Sequence, residues 1–161
     1  MKLICAMPYF NQSSTRALAR FLLNLQDKVE DVPPEFIELI YDLHAAHHKE
    51  FRQASLLAVN MDTDTCLENV VNNIFVNEEC TWEKIATIYA FAITFAENRI
   101  KEEVAEIASQ HVGKFHWWIE SQGGWPKHKN KCKRDHSITF WISCVGLVSI
   151  FGVLLYRAFS K

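Results

Sequence analysis

The sequence predicts an all-α fold, in which helices surround one apolar central helix and a transmembrane helix follows at the C-terminus. Apolar residues recur at helical spacing along most of the chain. Gly and Pro number only five and four among 161 residues, too few for a fold rich in turns. Residues 138–156 form an uncharged run close to the C-terminus. The length suits one compact domain before that run.

Two helices are predicted in the first third of the chain. Ser13, Ser14 or Thr15 can cap the first, and its apolar face continues at helical spacing as far as Val29. The second begins at the prolines of residues 33–34, because proline and acid suit a first helical turn, and it continues to about Leu57. Its apolar positions are Phe36, Ile37, Ile40, Leu43 and Phe51.

The next two predicted helices differ in how much of their surface is apolar. Residues 67–75 carry a single apolar stripe, which predicts an amphipathic helix. The following helix begins near Thr81, and residues 85–96 contain no charge. An all-apolar helix must be surrounded by protein or lipid, and twelve residues cannot span a bilayer. We therefore expect this helix at the centre of the bundle.

A last helix of the bundle is predicted from about Ile100. Its apolar stripe is Ile100, Val104, Ile107, His111, Phe115 and Trp118. Gly113 is a weak point within it, and Gly123 and Gly124 are expected to end it.

The C-terminal run is predicted to be a membrane anchor. Residues 138–156 read ITFWISCVGLVSIFGVLLY, and at ~1.5 Å per residue they match a hydrocarbon core of ~30 Å. Basic residues flank the run on both sides, and Trp141 and Tyr156 lie near its ends. We predict a bundle over residues 1–134 and a tail anchor over residues 135–161, with the bundle facing the cytosol.

The charge distribution is uneven along the chain. Residues 1–126 contain 10 basic and 18 acidic side chains, whereas residues 127–161 contain 7 basic side chains and 1 acidic one. The acidic bundle offers no basic patch, so we do not expect it to bind nucleic acid.

Candidate catalytic and metal-binding groups are few. His44, His47 and His48 share a helix face with a spacing that can hold zinc, but no further cysteine or carboxylate ligand is evident beside them. Cys80 and His111 could be imagined as a thiol–imidazole pair, although nothing in their local sequence supports it. Gly-rich phosphate loops and nucleophile elbows are absent from the sequence. We expect no metal, no cofactor and no enzymatic activity.

Two segments resemble the Bcl-2 family. Residues 118–125, WIESQGGW, resemble the second homology motif, W-I-x-x-x-G-G-W, at every fixed position. Residues 70–75, VVNNIF, and 81–85, TWEKI, resemble the first motif, V-V-x-x-L-F followed by N-W-G-R-I. The order of first motif, central helix, second motif and tail anchor is also that of the family, and the resemblance covers about residues 60–156.

The resemblance implies a hydrophobic groove that binds a partner's amphipathic helix. The groove residues expected from it are Phe51, Val70, Val71, Ile74, Phe75, Thr81, Glu83, Lys84 and Thr87. The motif residues expected to hold the fold together are Trp82, Phe91, Trp118, Gly123, Gly124 and Trp125.

Two departures from the family pattern affect these expectations. Glu83 and Lys84 stand where the family has Gly and Arg, so the charge is retained but the bidentate guanidinium is lost, and Glu83 adds bulk. The third motif, L-x-x-x-G-D, would fall at residues 43–51, which contain no Gly-Asp pair. A short chain with the first two motifs and without the third resembles viral Bcl-2 homologues.

The function implied by the resemblance is inhibition of apoptosis. The protein is expected to sequester BH-3 helices, from a narrow subset of pro-apoptotic relatives, at the outer mitochondrial membrane or the endoplasmic reticulum. The alternatives are a membrane-permeabilising effector of the Bax and Bak type and a tail-anchored adaptor without a groove. Self-association is left open.

Overall fold

All regular structure in the described part of the chain is helical, as the sequence predicts. The computed structural model describes residues 12–76 and 79–126. The helices are α1 (Gln12–Leu22), α2 (Pro34–Leu57), α3 (Thr63–Ile74), α4 (Trp82–Phe95), α5 (Lys101–Gly113) and α6 (His116–Ser121), with a 3₁₀ turn at Ala96–Asn98 between α4 and α5.

Helix α4 is the central helix of the bundle. Residues 85–92 are all buried, as the uncharged sequence predicts. Helices α2, α3 and α5 pack around α4, while α1 lies mainly along α5. The buried Tyr89 hydroxyl donates a hydrogen bond to the Thr15 carbonyl oxygen at 3.2 Å, so α1 also contacts the central helix. The Thr81 hydroxyl caps α4 by accepting from the Lys84 backbone N–H at 3.2 Å.

Helix α1 ends earlier than its apolar pattern predicts. Asn24 has a φ of 59°, in the left-handed region, and the Leu25 N–H donates to the Arg20 carbonyl oxygen at 2.8 Å. Asparagine tolerates this conformation better than most residues, so the helix can end here. The expectation of one continuous helix to Val29 is wrong, although Leu25 and Val29 still pack partly against the core.

Helix α2 has the predicted bounds and a bend near its middle. His47 has non-helical backbone angles (φ −120°, ψ 16°) and a buried side chain. Phe36, Ile40 and Leu43 are buried before the bend, and Phe51 is buried after it. The bend therefore keeps the apolar side chains of both halves against the bundle.

The predicted final helix is divided in two. Helix α5 ends at Gly113, which the sequence marked as a weak point, and α6 begins at His116. The expected apolar stripe is partly wrong, because Ile100 precedes α5 and is 69% exposed. Val104 and His111 of that stripe are buried as expected, and Ala105, Ala108 and Val112 complete the buried face of α5.

No helix among residues 12–76 and 79–126 is both long enough and apolar enough to cross a membrane. The predicted tail anchor at residues 138–156 lies outside the described residues.

Candidate partner-binding site

Helices α2 and α3, which carry most of the expected groove residues outside α4, both pack on the central helix. Helix α2 packs extensively on α4, and α3 packs on α5 and α4. Within the described residues, α2 and α3 make little direct contact with each other. Helix α4 therefore contacts both helices, and its residues 85–92 are covered by the surrounding bundle.

Five of the nine expected groove residues are buried in the core. Phe51 and Val70 are 0% exposed, and the other three buried residues, Val71, Ile74 and Thr87, are at most 6% exposed. Phe51 also contacts Phe91 of α4 edge-to-face, with ring centroids 5.8 Å apart. The Thr87 hydroxyl donates to the Glu83 carbonyl oxygen at 2.7 Å, so its proton is already hydrogen-bonded within α4. A partner could touch these residues only if a surrounding helix moved outward.

The other four expected groove residues, Phe75, Thr81, Glu83 and Lys84, are partly exposed at the start of α4 and the end of α3. Lys84 Nζ donates to the Glu79 carbonyl oxygen at 2.7 Å and lies 5.6 Å from the centroid of the Phe75 ring. An ammonium group has three donors, so this hydrogen bond leaves Lys84 able to bind a carboxylate as well.

The Phe75 ring stacks on Phe115 from the turn between α5 and α6, with centroids 4.2 Å apart. Phe115 is a partly exposed contact residue that the resemblance did not suggest. Its place in the apolar stripe of the last predicted helix was the available signal.

The tryptophans of both motifs meet in one aromatic cluster, formed by Phe36, Trp82, Trp118 and Trp125. Trp82 contacts Trp118 edge-to-face at 4.7 Å between centroids and Phe36 at 5.6 Å. Trp125 contacts Phe36 at 5.1 Å, and its Nε1 donates to the Ser14 hydroxyl at 2.8 Å. The aromatic cluster thus connects α1, α2, α4 and α6. Neither Phe36 nor Ser14 belongs to a motif, so the sequence did not place them here.

The two glycines of the second motif end α6. The Gly123 N–H donates to the Glu120 carbonyl oxygen at 2.9 Å, and the Gly124 N–H donates to that of Ile119 at 3.0 Å. Their φ angles are 85° and 93°, where a side chain would be strained. These angles turn the chain back, so that Trp125 reaches the aromatic cluster.

His111 and Cys80 have separate environments. His111 is 3% exposed, and its Nε2 lies 3.0 Å from an Asp64 carboxylate oxygen, while its Nδ1 lies 3.1 Å from Lys114 Nζ. Since the ammonium can only donate, Nδ1 accepts from Lys114 and Nε2–H donates to Asp64. Burial raises the pKa of the Cys80 thiol to about 12, which keeps it protonated and weakly nucleophilic. The geometry does not form the thiol–imidazole pair considered from the sequence.

The three histidines of α2 do not act as one group. His47 points inward at the bend and contacts Phe51, with ring centroids 6.0 Å apart. His44 and His48 remain partly exposed and contact each other edge-to-face at 5.3 Å. Glu97 of the 3₁₀ turn lies beside them, with its carboxylate oxygen 3.7 Å from His48 Nε2. The sequence did not reveal this carboxylate, because it is 49 residues from His48.

No protein-family model matches the chain, and neither the curated proteins nor the solved structures give a match.

Proposed function

We propose that this chain is a Bcl-2-like inhibitor of apoptosis, which sequesters BH-3 helices of pro-apoptotic relatives in a groove over α4. The observation that carries the proposal is that α2 and α3 both pack on α4 and make little contact with each other. An amphipathic partner helix needs a floor and two flanks to bury its apolar face, and α4, α2 and α3 would supply them once α2 or α3 moves outward. Of the first-motif residues, Phe75, Thr81, Glu83 and Lys84 are partly exposed and would contact that partner first.

The aromatic cluster supports the resemblance at the level of three-dimensional contacts. The two motifs are separated by more than 30 residues, yet Trp82 and Trp118 are in contact. Paired glycines with positive φ give the second motif a physical reason for its spacing. A chance similarity of sequence letters would not require these side chains to meet.

Lys84 is the charged group best placed to select a partner. Its ammonium lies beside Phe75, so a carboxylate on the partner would bind next to an apolar surface. A hydrogen bond to a charged group contributes roughly 1.5–3 kcal/mol, which corresponds to about ten- to a hundred-fold in affinity. Glu83, next to it, must be turned aside or matched by a basic group on the partner, and an unmatched charge would select against most ligands.

Partner binding also requires part of the core to open. Val71 and Ile74 are the groove residues on α3 that remain slightly exposed, at 6% and 4%. A partner helix that displaces α3 or α2 outward would replace existing apolar contacts with its own. Substituting either residue with a charged one would therefore unfold the bundle as well as block binding, so neither gives a clean test of the groove.

The decisive experiment measures the full chain, in detergent micelles, against a panel of BH-3 peptides by fluorescence anisotropy. We expect tight binding to one or a few peptides and weak binding to the rest. Lys84→Ala should weaken the best ligand about ten- to a hundred-fold. Lys101→Ala, which removes an exposed lysine from the first turn of α5, is the matched control and should change affinity little.

Two substitutions at Glu83 separate charge from bulk. Glu83→Gln keeps the size and removes the charge, whereas Glu83→Gly restores the family residue. Both should broaden the set of bound peptides if charge sets the selectivity, and only Glu83→Gly should do so if bulk sets it. Similar affinity for most of the panel in the unmodified protein, or an unchanged ranking with Glu83→Gly, contradicts the proposed selectivity.

Expression in cells tests the proposed direction of action. An inhibitor prolongs survival after a death stimulus, an effector of the Bax and Bak type causes death, and an adaptor does neither. The proposed anchor at residues 138–156 would hold the groove at the cytosolic face of the outer mitochondrial membrane or the endoplasmic reticulum, and fluorescence imaging of the same cells distinguishes these two membranes.

A further inference from the structure

Three side chains from two separate elements converge at the far end of α2 and α4. His44 and His48 lie one turn apart on α2, and Glu97 belongs to the 3₁₀ turn that follows α4. One ligand atom from each side chain can be chosen so that all three atoms lie within 4.8 Å of one another. All three side chains are at least partly open to solvent, so an ion could reach them.

The separation of these atoms is close to that required by a metal ion. Zinc with ligands at about 2.0–2.1 Å in tetrahedral geometry places neighbouring ligand atoms about 3.3 Å apart. His48 Nε2 and the Glu97 carboxylate oxygen are already 3.7 Å apart. Small side-chain rotations would bring a ring nitrogen of His44 to the same distance from these two atoms, and partly exposed side chains can make such movements at low energetic cost.

His44 gives a second, independent indication. Its Nε2 is buried and has no hydrogen-bond partner among the described residues. A ligand for this nitrogen would remove the cost of burying a polar atom that makes no hydrogen bond.

We propose that His44, His48 and Glu97 form a binding site for a divalent transition-metal ion of the zinc type. Two imidazole nitrogens and one carboxylate oxygen suit zinc and disfavour magnesium and calcium, which prefer oxygen ligands throughout. Water completes the coordination. The ion joins α2 to the 3₁₀ turn after α4, so it acts as a clamp between the two helices that pack most extensively in the bundle.

The clamp is tested by isothermal titration of the full chain in detergent micelles with zinc chloride. Zinc should bind the unmodified protein and raise its unfolding temperature, by about 5–10 °C at a hundred-fold excess over Kd. Single substitutions His44→Ala, His48→Ala and Glu97→Gln should each weaken binding at least ten-fold, since loss of even an outer-shell partner costs roughly ten- to a hundred-fold. Magnesium and calcium should produce neither effect.

Matched controls separate this site from the other metal-binding side chains of the sequence. His116→Ala and Glu103→Gln remove an exposed histidine and an exposed acid outside the cluster, and both should bind zinc as the unmodified protein does. Circular dichroism without metal checks that each variant is helical. Should His44→Ala fail to fold, Glu97→Gln decides the question, because Glu97 is exposed. Zinc affinity that is unchanged by Glu97→Gln, or lowered equally by the two controls, overturns the proposed site.

Discussion

Trp125 is predicted to fasten the end of the described chain to the bundle, and its substitution tests the aromatic cluster. Its ring is 6% exposed, contacts Phe36 and Trp82, and donates a hydrogen bond to Ser14. Replacing a buried tryptophan with alanine costs about 3–5 kcal/mol, from lost contacts and the cavity left behind. We therefore expect Trp125→Ala to lower the free energy of unfolding by this amount.

A second pair of substitutions isolates the hydrogen bond. Trp125→Phe keeps an aromatic ring beside Phe36 and loses the N–H, whereas Ser14→Ala leaves the N–H without its acceptor. Each substitution should lower the free energy of unfolding by about 1–3 kcal/mol. Trp125→Phe leaves the Ser14 hydroxyl without its donor, and Ser14→Ala leaves the Trp125 N–H without its acceptor. The double substitution should cost about 1 kcal/mol less than the sum of the two, which is the coupling expected of partners in one hydrogen bond.

The assay is urea unfolding of the full chain in detergent micelles, followed by far-ultraviolet circular dichroism. Trp117→Ala is the control, because Trp117 is 61% exposed on α6 and its loss should change stability by less than about 0.5 kcal/mol. If Trp125→Ala is as stable as Trp117→Ala, or if the effects of Trp125→Phe and Ser14→Ala simply add, the structural role given to the cluster is refuted.

Three further predictions concern the chain ends and turns. Gly123→Ala should destabilise the fold by about 1–2 kcal/mol in urea unfolding, because φ is 85° there. Gly113→Ala should leave the stability unchanged or raise it, since that helical glycine has room for a Cβ. If Gly113→Ala and Gly123→Ala change the stability equally, backbone strain at Gly123 is excluded as the cause. The hydrogen bond from the Thr65 backbone N–H lowers the pKa of the Asp62 carboxyl, so the stability that this cap contributes is present at neutral pH and is lost as the pH falls through the lowered pKa. Asp62→Asn should remove this acid dependence of the unfolding temperature, and an unchanged pH profile would contradict the prediction. A chain truncated after Arg134 should leave membranes on carbonate extraction while the full chain stays; retention of the truncated form would disprove residues 138–156 as the only anchor.

Most helix positions follow from short-range sequence patterns. The spacing of apolar residues predicts where most helices lie, and Gly113 predicts where one breaks, and the structure agrees. The structure adds that Asp62 and Thr81 cap α3 and α4. These features depend on residues within about four positions of one another, so a sequence contains them directly. The uncharged run of residues 85–96 also predicted which helix is central, because an apolar surface on all sides must be covered.

The burial of the expected groove residues could not be predicted from short-range patterns. The resemblance selected Val70, Val71 and Ile74 as a binding surface, yet a helical stripe has the same pattern whether it faces a groove or the core. Only the positions of α4 and α5 place these side chains in the core, at 6% exposure or less. Likewise, the early end of α1 depends on one backbone conformation at Asn24 that no periodicity encodes.

Contacts between distant residues were decided by the tertiary structure alone. Ser14 meets Trp125, Asp64 meets His111, and Glu97 meets His48, although each pair is separated by more than 40 residues. The sequence determined that each of these polar groups needs a partner when it is buried, because an unmet hydrogen-bonding group costs free energy. Which partner it finds depends on how whole helices pack against one another, and that depends on the combined shape of many side chains rather than on any local pattern.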